Sequence, residues 1–136
     1  MKDLPPHILK PEVHWRRAHG YLAMEMYEDA KRELRALPKE EPWGKRSKVF
    51  FLSIDQELEN WEGAQKIARG LRYEFSEEVD WWIADAYATR RHESITEARS
   101  ILLEGLALHF DDGLIRFNLA CYACVLNNPG ECLWNG

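Results

Sequence analysis

The stretch NWEGA, residues 60–64, decides how the chain is interpreted, because similar stretches lie 34 residues away on both sides. In each one, a small residue follows an acidic or turn-forming lead-in. These residues are Ala30 (YEDA), Ala64 (WEGA), Ala98 (ITEA) and Cys132 (PGEC). A second series stands twelve residues earlier and consists of Ala18, Leu52, Ala86 and Ala120. A period of this length, kept along the chain, is typical of stacked helix pairs.

The residue four places before each small residue of the first series predicts where the second helix of a pair begins. Asn60, Ser94 and Asn128 have side chains that accept a hydrogen bond from an unpaired amide of a first helical turn, whereas Met26 does not. Ser94 and Glu97 have the spacing of a capping box. Apolar residues recur every three or four positions without period-two alternation, which predicts an all-α chain of about seven helices. These helices are expected near 11–24, 27–37, 46–59, 61–75, 79–91, 95–109 and 114–126.

Over about residues 11–136 the chain resembles the tetratricopeptide repeat (TPR) family. The resemblance rests on the two series of small residues, on the large residues Tyr27, Trp61 and Ile95, and on Pro42 between repeats. It implies a right-handed superhelix of antiparallel helix pairs, which is an α-α solenoid. The chain departs from the family where a turn glycine is expected, and there it has Glu25, Glu59, Glu93 and Asn127.

The predicted organisation is a flexible lead at residues 1–10 followed by one TPR-like domain at residues 11–136. Its repeats are expected near 11–44, 45–78 and 79–112, with an incomplete repeat at 113–136. Pro42 and Gly44 are expected to keep the connection before the third helix out of a helical conformation.

Composition and charge narrow the range of functions. The formal net charge of −5 comes from 23 acidic and 18 basic residues without a basic tract, which argues against nucleic acid and anionic membranes as partners. The N-terminal stretch lacks the apolar core of a signal peptide, and no apolar run has the length of a membrane span, so a cytoplasmic location is expected. Three cysteines cannot all pair within one chain, and reduced thiols are the expectation.

Sequence motifs for catalysis, cofactors and metals are missing. The five histidines form no catalytic or metal-binding motif, no serine lies in a nucleophile elbow, and no glycine-rich loop is suited to phosphate. Cys121 and Cys124, with Cys132 farther on, lack a fourth ligand for zinc and are interpreted as small buried residues. We therefore expect a non-enzymatic protein without a cofactor or a metal.

The TPR resemblance implies a concave groove lined by the first helix of each pair. Carried over residue by residue, the candidate groove residues are Trp15, His19, Leu22, Ser53, Gln56, Tyr87, Arg90 and Arg91. Trp15 and Tyr87 are suited to anchor apolar side chains, and Arg90 and Arg91 to hold a carboxylate or an acidic peptide. The alternative is that the two arginines lie on an ordinary solvated surface and bind no ligand. The predicted function is a protein-protein interaction scaffold that binds a peptide or protein segment in this groove.

The last predicted helix suggests a second function, because residues 114–126 (LIRFNLACYACVL) are apolar nearly all round. A helical repeat array normally ends in a helix with a polar outer face. The candidate association face comprises Leu114, Phe117, Tyr122, Val125, Leu133 and Trp134. Either the tail folds back over this face, or another protein or a second copy of the chain covers it. The alternative function is a self-associating structural module that homodimerises through this face.

Overall fold

The computed structural model describes residues 9–127, and within this range every regular element is an α-helix. The helices are α1 (Pro11–Ala23), α2 (Tyr27–Arg35), α3 (Trp43–Glu57), α4 (Trp61–Glu74), α5 (Val79–His92), α6 (Ile95–Leu108) and α7 (Gly113–Asn127). The all-α prediction with seven helices is confirmed. Helices α2, α4 and α6 begin 34 residues apart, which agrees with the repeat in the sequence. No described helix combines the length and the apolar character that crossing a membrane requires.

The start of α3 differs from its predicted position by three residues, since this helix begins at Trp43, directly after Pro42. Proline is tolerated just ahead of a helix because the amide that it lacks would have no partner in the first turn. Gly44 lies inside the first turn, where an added Cβ would stand 2.5 Å from the carbonyl oxygen of Lys39. The expectation that Gly44 keeps the chain out of a helix is therefore wrong. Its missing side chain allows a close approach of the backbone instead.

Neighbouring helices pack in pairs: α1 against α2, α4 against α5, α5 against α6 and α6 against α7. The chain divides into two compact units within α3, and we call residues up to Ile54 unit 1 and residues from Asp55 unit 2. The buried core of unit 1 consists of Ala18, Ala30, Leu34, Leu37, Phe50 and Ile54. The buried core of unit 2 consists of Trp82, Ala86, Ala98, Ile101, Leu102, Ile115 and Tyr122. The single TPR-like domain and the right-handed superhelix stay predictions.

The repeated small residues are buried where neighbouring helices meet. The fully buried members of the two series are Ala18, Ala30, Ala64, Ala86 and Ala98. A side chain no larger than a methyl group lets two helix backbones come close without a clash, which explains why alanine recurs there. Ala120 differs from the others because it is exposed on α7.

The predicted helix starts are capped as the sequence indicates. The Asn60 side chain accepts a hydrogen bond from the Gly63 amide at 3.3 Å, and the Ser94 hydroxyl accepts one from the Glu97 amide at 3.1 Å. Met26, which precedes α2, makes no side-chain cap. The predicted cap at Asn128 lies outside the described residues. Local capping rules therefore account for the starts of α4 and α6.

Two helix ends carry a glutamate in the left-handed backbone region. Glu25 follows α1 with φ 56°, and Glu59 follows α3 with φ 55°. At each end the amide of the next residue donates to the carbonyl five residues earlier at 2.8 Å. This is the Schellman arrangement, in which glycine is the favoured residue. Glu93, the third glutamate at this repeat position, has φ −116° and avoids the left-handed region.

A buried ion-pair network joins α4 to α5 inside unit 2. The fully buried Asp85 carboxylate lies 3.2 Å from Nε of Arg69 and 3.0 Å from Nε of Arg72, the latter without hydrogen-bond alignment. Thr89 donates its hydroxyl to Asp85 at 3.0 Å, and Gln65 donates its amide to Thr89 at 2.9 Å. Burial lowers the pKa of Arg69, but the hydrogen bond and charge of Asp85 outweigh burial, so this pKa is raised. Since a buried charge is stable only with its partner, we expect the network to hold α4 and α5 in one register.

Candidate functional site

Unit 1 contains an apolar pocket between α1 and α3. Its volume is about 390 Å³, which is in the range of small-ligand pockets. The pocket is lined by Trp15, His19, Leu22, Lys45, Arg46, Val49, Phe50 and Ser53. The three lining residues of α1 are spaced by four and three positions, and those of α3 follow a similar spacing, so each set lies on one face of its helix. Two facing helices therefore supply the whole lining.

Aromatic rings form the inner wall of the pocket. Phe50 is buried and meets Trp15 edge to face, with 5.4 Å between ring centroids. His19 lies 4.7 Å from the Phe50 ring and 4.8 Å from the Trp15 ring. Edge-to-face contacts of this kind place the positive edge of one ring against the negative face of another. The rings thus hold one another in place, and the apolar surface is formed before any ligand arrives.

The charged side chains of the lining are cationic. Lys45 and Arg46 follow each other in the first turns of α3, and the Arg46 guanidinium lies 5.1 Å from the ring centroid of Trp43. Ser53, at the other end of the lining, donates its hydroxyl to the Val49 carbonyl at 3.3 Å. No acidic side chain is among the lining residues. A ligand that carries an apolar side chain next to a negative charge would therefore be complementary to this pocket.

Four predicted groove residues line this pocket, namely Trp15, His19, Leu22 and Ser53. Of the other four lining residues, Arg46 and Val49 also stand at groove positions of the TPR repeat, whereas sequence reasoning missed Lys45 and Phe50. Lys45 lay outside the predicted third helix, but the helix starts at Trp43, which places Lys45 within its first turns. Phe50 belongs to the buried core of unit 1 and also forms part of the pocket wall. Gln56 belongs to unit 2, is partly buried and does not line the pocket.

The remaining groove residues, Tyr87, Arg90 and Arg91, lie together on α5 in unit 2. The Arg91 guanidinium carbon lies 4.1 Å from the Tyr87 ring centroid and 5.2 Å from that of Trp61. The Trp61 and Tyr87 rings meet edge to face at 5.4 Å. Arg90 lies over the ring of Tyr122 at 5.3 Å. Sequence reasoning did not connect Trp61 or Tyr122 with these arginines, since nothing local links residues on different helices.

The predicted association face is only partly exposed. Leu114 and Phe117 are 51% and 57% exposed, but Tyr122 is 3% exposed and belongs to the core of unit 2. Tyr122 therefore does not lie on an open surface, because its ring packs inward against α5 and α6. Val125 is partly buried. The other two predicted members, Leu133 and Trp134, lie outside the described residues.

The cysteines differ from the expectation. Cys121 is a partly buried thiol, whereas Cys124 is disulfide-bonded. The expectation of reduced thiols is wrong for Cys124, because a sufficient hydrophobic core makes a disulfide unnecessary but does not prevent one. In the part of the chain that the structure describes, no three His, Cys, Asp or Glu side chains are grouped to hold a metal ion.

Comparison of the chain with protein-family models, with curated proteins and with solved structures finds no match. The TPR resemblance therefore depends on the sequence alone, namely on the repeat spacing, the two series of small residues, the large residues of the repeat and Pro42. Arguments about function rest on the geometry of the pocket and of the arginine cluster.

Proposed function

We propose that the chain is a TPR-like, cytoplasmic interaction scaffold that binds a peptide or protein segment without catalysing a reaction. The observation that carries this proposal is the pre-formed aromatic pocket of unit 1, with Trp15 and Phe50 in its wall. Concave apolar sites with aromatic walls are the usual anchors of protein recognition, because one inserted side chain buries a large apolar area there. The inserted group is a large apolar side chain of the partner.

The polar groups of the pocket support binding better than catalysis. His19 contacts the aromatic rings of Trp15 and Phe50, and the Ser53 hydroxyl donates to a backbone carbonyl. A nucleophilic serine needs a base within hydrogen-bond reach of its hydroxyl, and Ser53 is committed elsewhere. Lys45 and Arg46 place positive charge beside the apolar wall, so the preferred segment has an acidic residue next to its apolar anchor.

The test selects peptides from a random library on the folded protein and measures the affinity of the selected sequences by calorimetry. Two exposed helical serines offer matched variants, since Ser53 and Ser100 each donate to the carbonyl four residues earlier at 3.3 Å. Ser53→Trp introduces an indole at a residue that lines the pocket, whereas Ser100→Trp adds the same group on α6, which contributes no lining residue. We expect Ser53→Trp to weaken binding by about tenfold or more and Ser100→Trp to leave it unchanged.

The selected sequences themselves give a second readout, and an apolar residue flanked by Asp or Glu is the expected consensus. Selected peptides that bind Ser53→Trp as tightly as the wild type would show that the pocket is not the binding site. Urea unfolding of both variants separates a blocked pocket from a damaged fold.

Self-association through α7 is the second candidate, and it is favoured by the exposure of Leu114 and Phe117. Large apolar side chains on a helix surface are typical of faces that another protein covers. Light scattering at several concentrations tests it, with Leu114→Glu plus Phe117→Glu as the variant. A mass that does not rise with concentration in the wild type would remove this candidate.

A further inference from the structure

Two consecutive arginines near the end of α5 lie against aromatic rings and not against carboxylates. Within residues 9–127, neither Arg90 nor Arg91 has an acidic partner within ion-pair distance. By contrast, Arg69 and Arg72 on the neighbouring helix both pair with Asp85. Arg90 and Arg91 therefore present two adjacent exposed positive charges that no acidic side chain within residues 9–127 neutralises by an ion pair.

The aromatic rings order the two side chains. Arg91 lies over Tyr87 at 4.1 Å and near Trp61 at 5.2 Å, while Arg90 lies over Tyr122 at 5.3 Å. A guanidinium is planar, and stacking covers its face while its N–H donors point outward in the plane. Because the rings already restrict the side chains, less conformational freedom is lost when a ligand binds. Arg90 also hydrogen-bonds the Tyr122 hydroxyl, and its other donors and those of Arg91 are positioned for a ligand.

The two positive charges also act on one region. Tyr122 is 3% exposed, and burial raises its pKa, whereas the charges of Arg90 and Arg91 both counteract that rise. Both guanidinium groups therefore lie close enough to this phenol to influence its proton. Two like charges in a shared neighbourhood repel each other, and a bound anion would relieve that repulsion. The phenol provides a built-in sensor of such binding.

We propose that Arg90 and Arg91 form an oxyanion-binding site in unit 2, which holds a phosphate or carboxylate group of a protein segment. Paired arginine forks match the oxygen spacing of phosphate and carboxylate, and two of them match the double charge of a phosphate. Both arginines are exposed, and Tyr87 is 42% exposed beside them, so a ligand with an apolar part next to its oxyanion gains a second contact. This site shares no residue with the unit 1 pocket and does not rest on the function proposed for it.

Four probes test the proposal by calorimetry at low salt: inorganic phosphate, a peptide with one phosphoserine, the same peptide with serine and the same peptide with glutamate. The wild type is expected to bind the phosphoserine or the glutamate peptide more tightly than the serine peptide. A higher affinity for the phosphoserine peptide than for the glutamate peptide would identify phosphate as the bound group. Equal affinities for these two peptides would show that a carboxylate is enough for binding. Binding of the serine peptide as tight as that of both charged peptides would overturn the proposal.

Variants locate the site. The double variant Arg90→Gln with Arg91→Gln is expected to lower the affinity for the charged peptide by about tenfold or more. The double variant Arg90→Lys with Arg91→Lys should lower it by less, because lysine keeps the charge but lacks the forked N–H donors of arginine. The matched control is Lys66→Gln with Arg99→Gln, which removes two exposed cations elsewhere in unit 2 and should change the affinity by no more than about twofold. An equal loss of affinity in this control would show that only the net charge of the protein matters, and it would overturn the proposal.

Two further readouts separate this site from the unit 1 pocket and from a loss of folding. The charged peptide should raise the pKa of Tyr122 in the wild type, because it neutralises the nearby guanidinium groups. Ser53→Trp should leave its affinity unchanged. An unchanged Tyr122 titration under saturating peptide would place the ligand elsewhere and refute the site, whereas failure of the pocket experiment alone would not affect it.

Discussion

Replacing Glu25 or Glu59 by glycine is expected to stabilise the protein. Both glutamates have positive φ, 56° and 55°, at the ends of α1 and α3. A non-glycine residue in this region is strained by about 1–2 kcal/mol, because its Cβ approaches the following carbonyl oxygen. Glycine removes this strain but loses about 0.5–1 kcal/mol more backbone entropy on folding. The middle of each range gives an expected net gain of about 0.75 kcal/mol at each site.

Matched variants separate the effect of backbone strain from the effect of removing the glutamate side chain. Alanine at Glu25 or Glu59 removes the same charge and side chain but keeps Cβ, so it should change stability little. Glu93 supplies a second control, since it stands at the same repeat position with φ −116°, where glycine relieves no strain. Glu93→Gly is expected to destabilise by about 0.5–1 kcal/mol through entropy alone.

Urea unfolding followed by far-ultraviolet circular dichroism measures these differences. With a slope of about 2 kcal/mol per molar, a gain of about 0.75 kcal/mol raises the midpoint by about 0.4 M. The strain argument fails if the glycine variants at Glu25 and Glu59 are no more stable than the alanine variants. It also fails if Glu93→Gly stabilises by a similar amount.

Three other predictions concern unit 2, and the first two use the same unfolding assay. Gly105→Ala should destabilise the protein by about 1–3 kcal/mol, because the new Cβ would lie 3.0 Å from the buried Trp82 indole. Gly70→Ala has open space around it and should instead stabilise the protein by up to about 1 kcal/mol. Equal effects of the two variants would contradict the packing argument. Asp85→Ala should lose about 3–5 kcal/mol, because Arg69 loses its carboxylate partner and the buried Arg72 keeps only the exposed Glu104, at 3.2 Å. The exposed Asp80→Ala should lose about 1 kcal/mol or less, and similar losses in the two variants would show that the network does not stabilise unit 2. Burial raises the pKa of Tyr122 above its ordinary value of about 10, so its contribution to stability is complete below about pH 10 and is lost as pH rises through the folded pKa. Ultraviolet titration should show one late tyrosine that Tyr122→Phe removes, and a late tyrosine that persists in this variant would assign the shift to another residue.

Local sequence rules predicted the helices and their caps. Asn60 and Ser94 cap α4 and α6 as expected, because a cap depends on residues within three positions of one another. The sequence showed that these glutamates stand where the repeat expects glycine, but only the structure shows which of them have positive φ. Glu25 and Glu59 are left-handed and Glu93 is not, although all three occupy the same repeat position.

The candidate sites were predicted only in part. The TPR resemblance placed Trp15 and His19 in a groove, and both line the unit 1 pocket. Helical spacing accounts for their common face, since a helix presents every third or fourth residue on one side. It could not show that Tyr122 points inward, because a helix that is apolar on all sides gives no direction to its buried face. Nor could it pair Arg91 with Trp61, since their contact depends on how α5 lies against α4.

The amino-acid sequence by itself determined the helical repeat of 34 residues and the capped helix starts, because these depend on contacts within a few positions along the chain. Tertiary structure alone decided which side chains meet: the aromatic wall around Phe50, the burial of Asp85 between two arginines, and the placement of Arg90 and Arg91 over aromatic rings. Apart from the contact of Arg91 with Tyr87, which both lie on α5, each of these contacts joins different helices. Their geometry follows from how helices pack, which no spacing within one helix specifies.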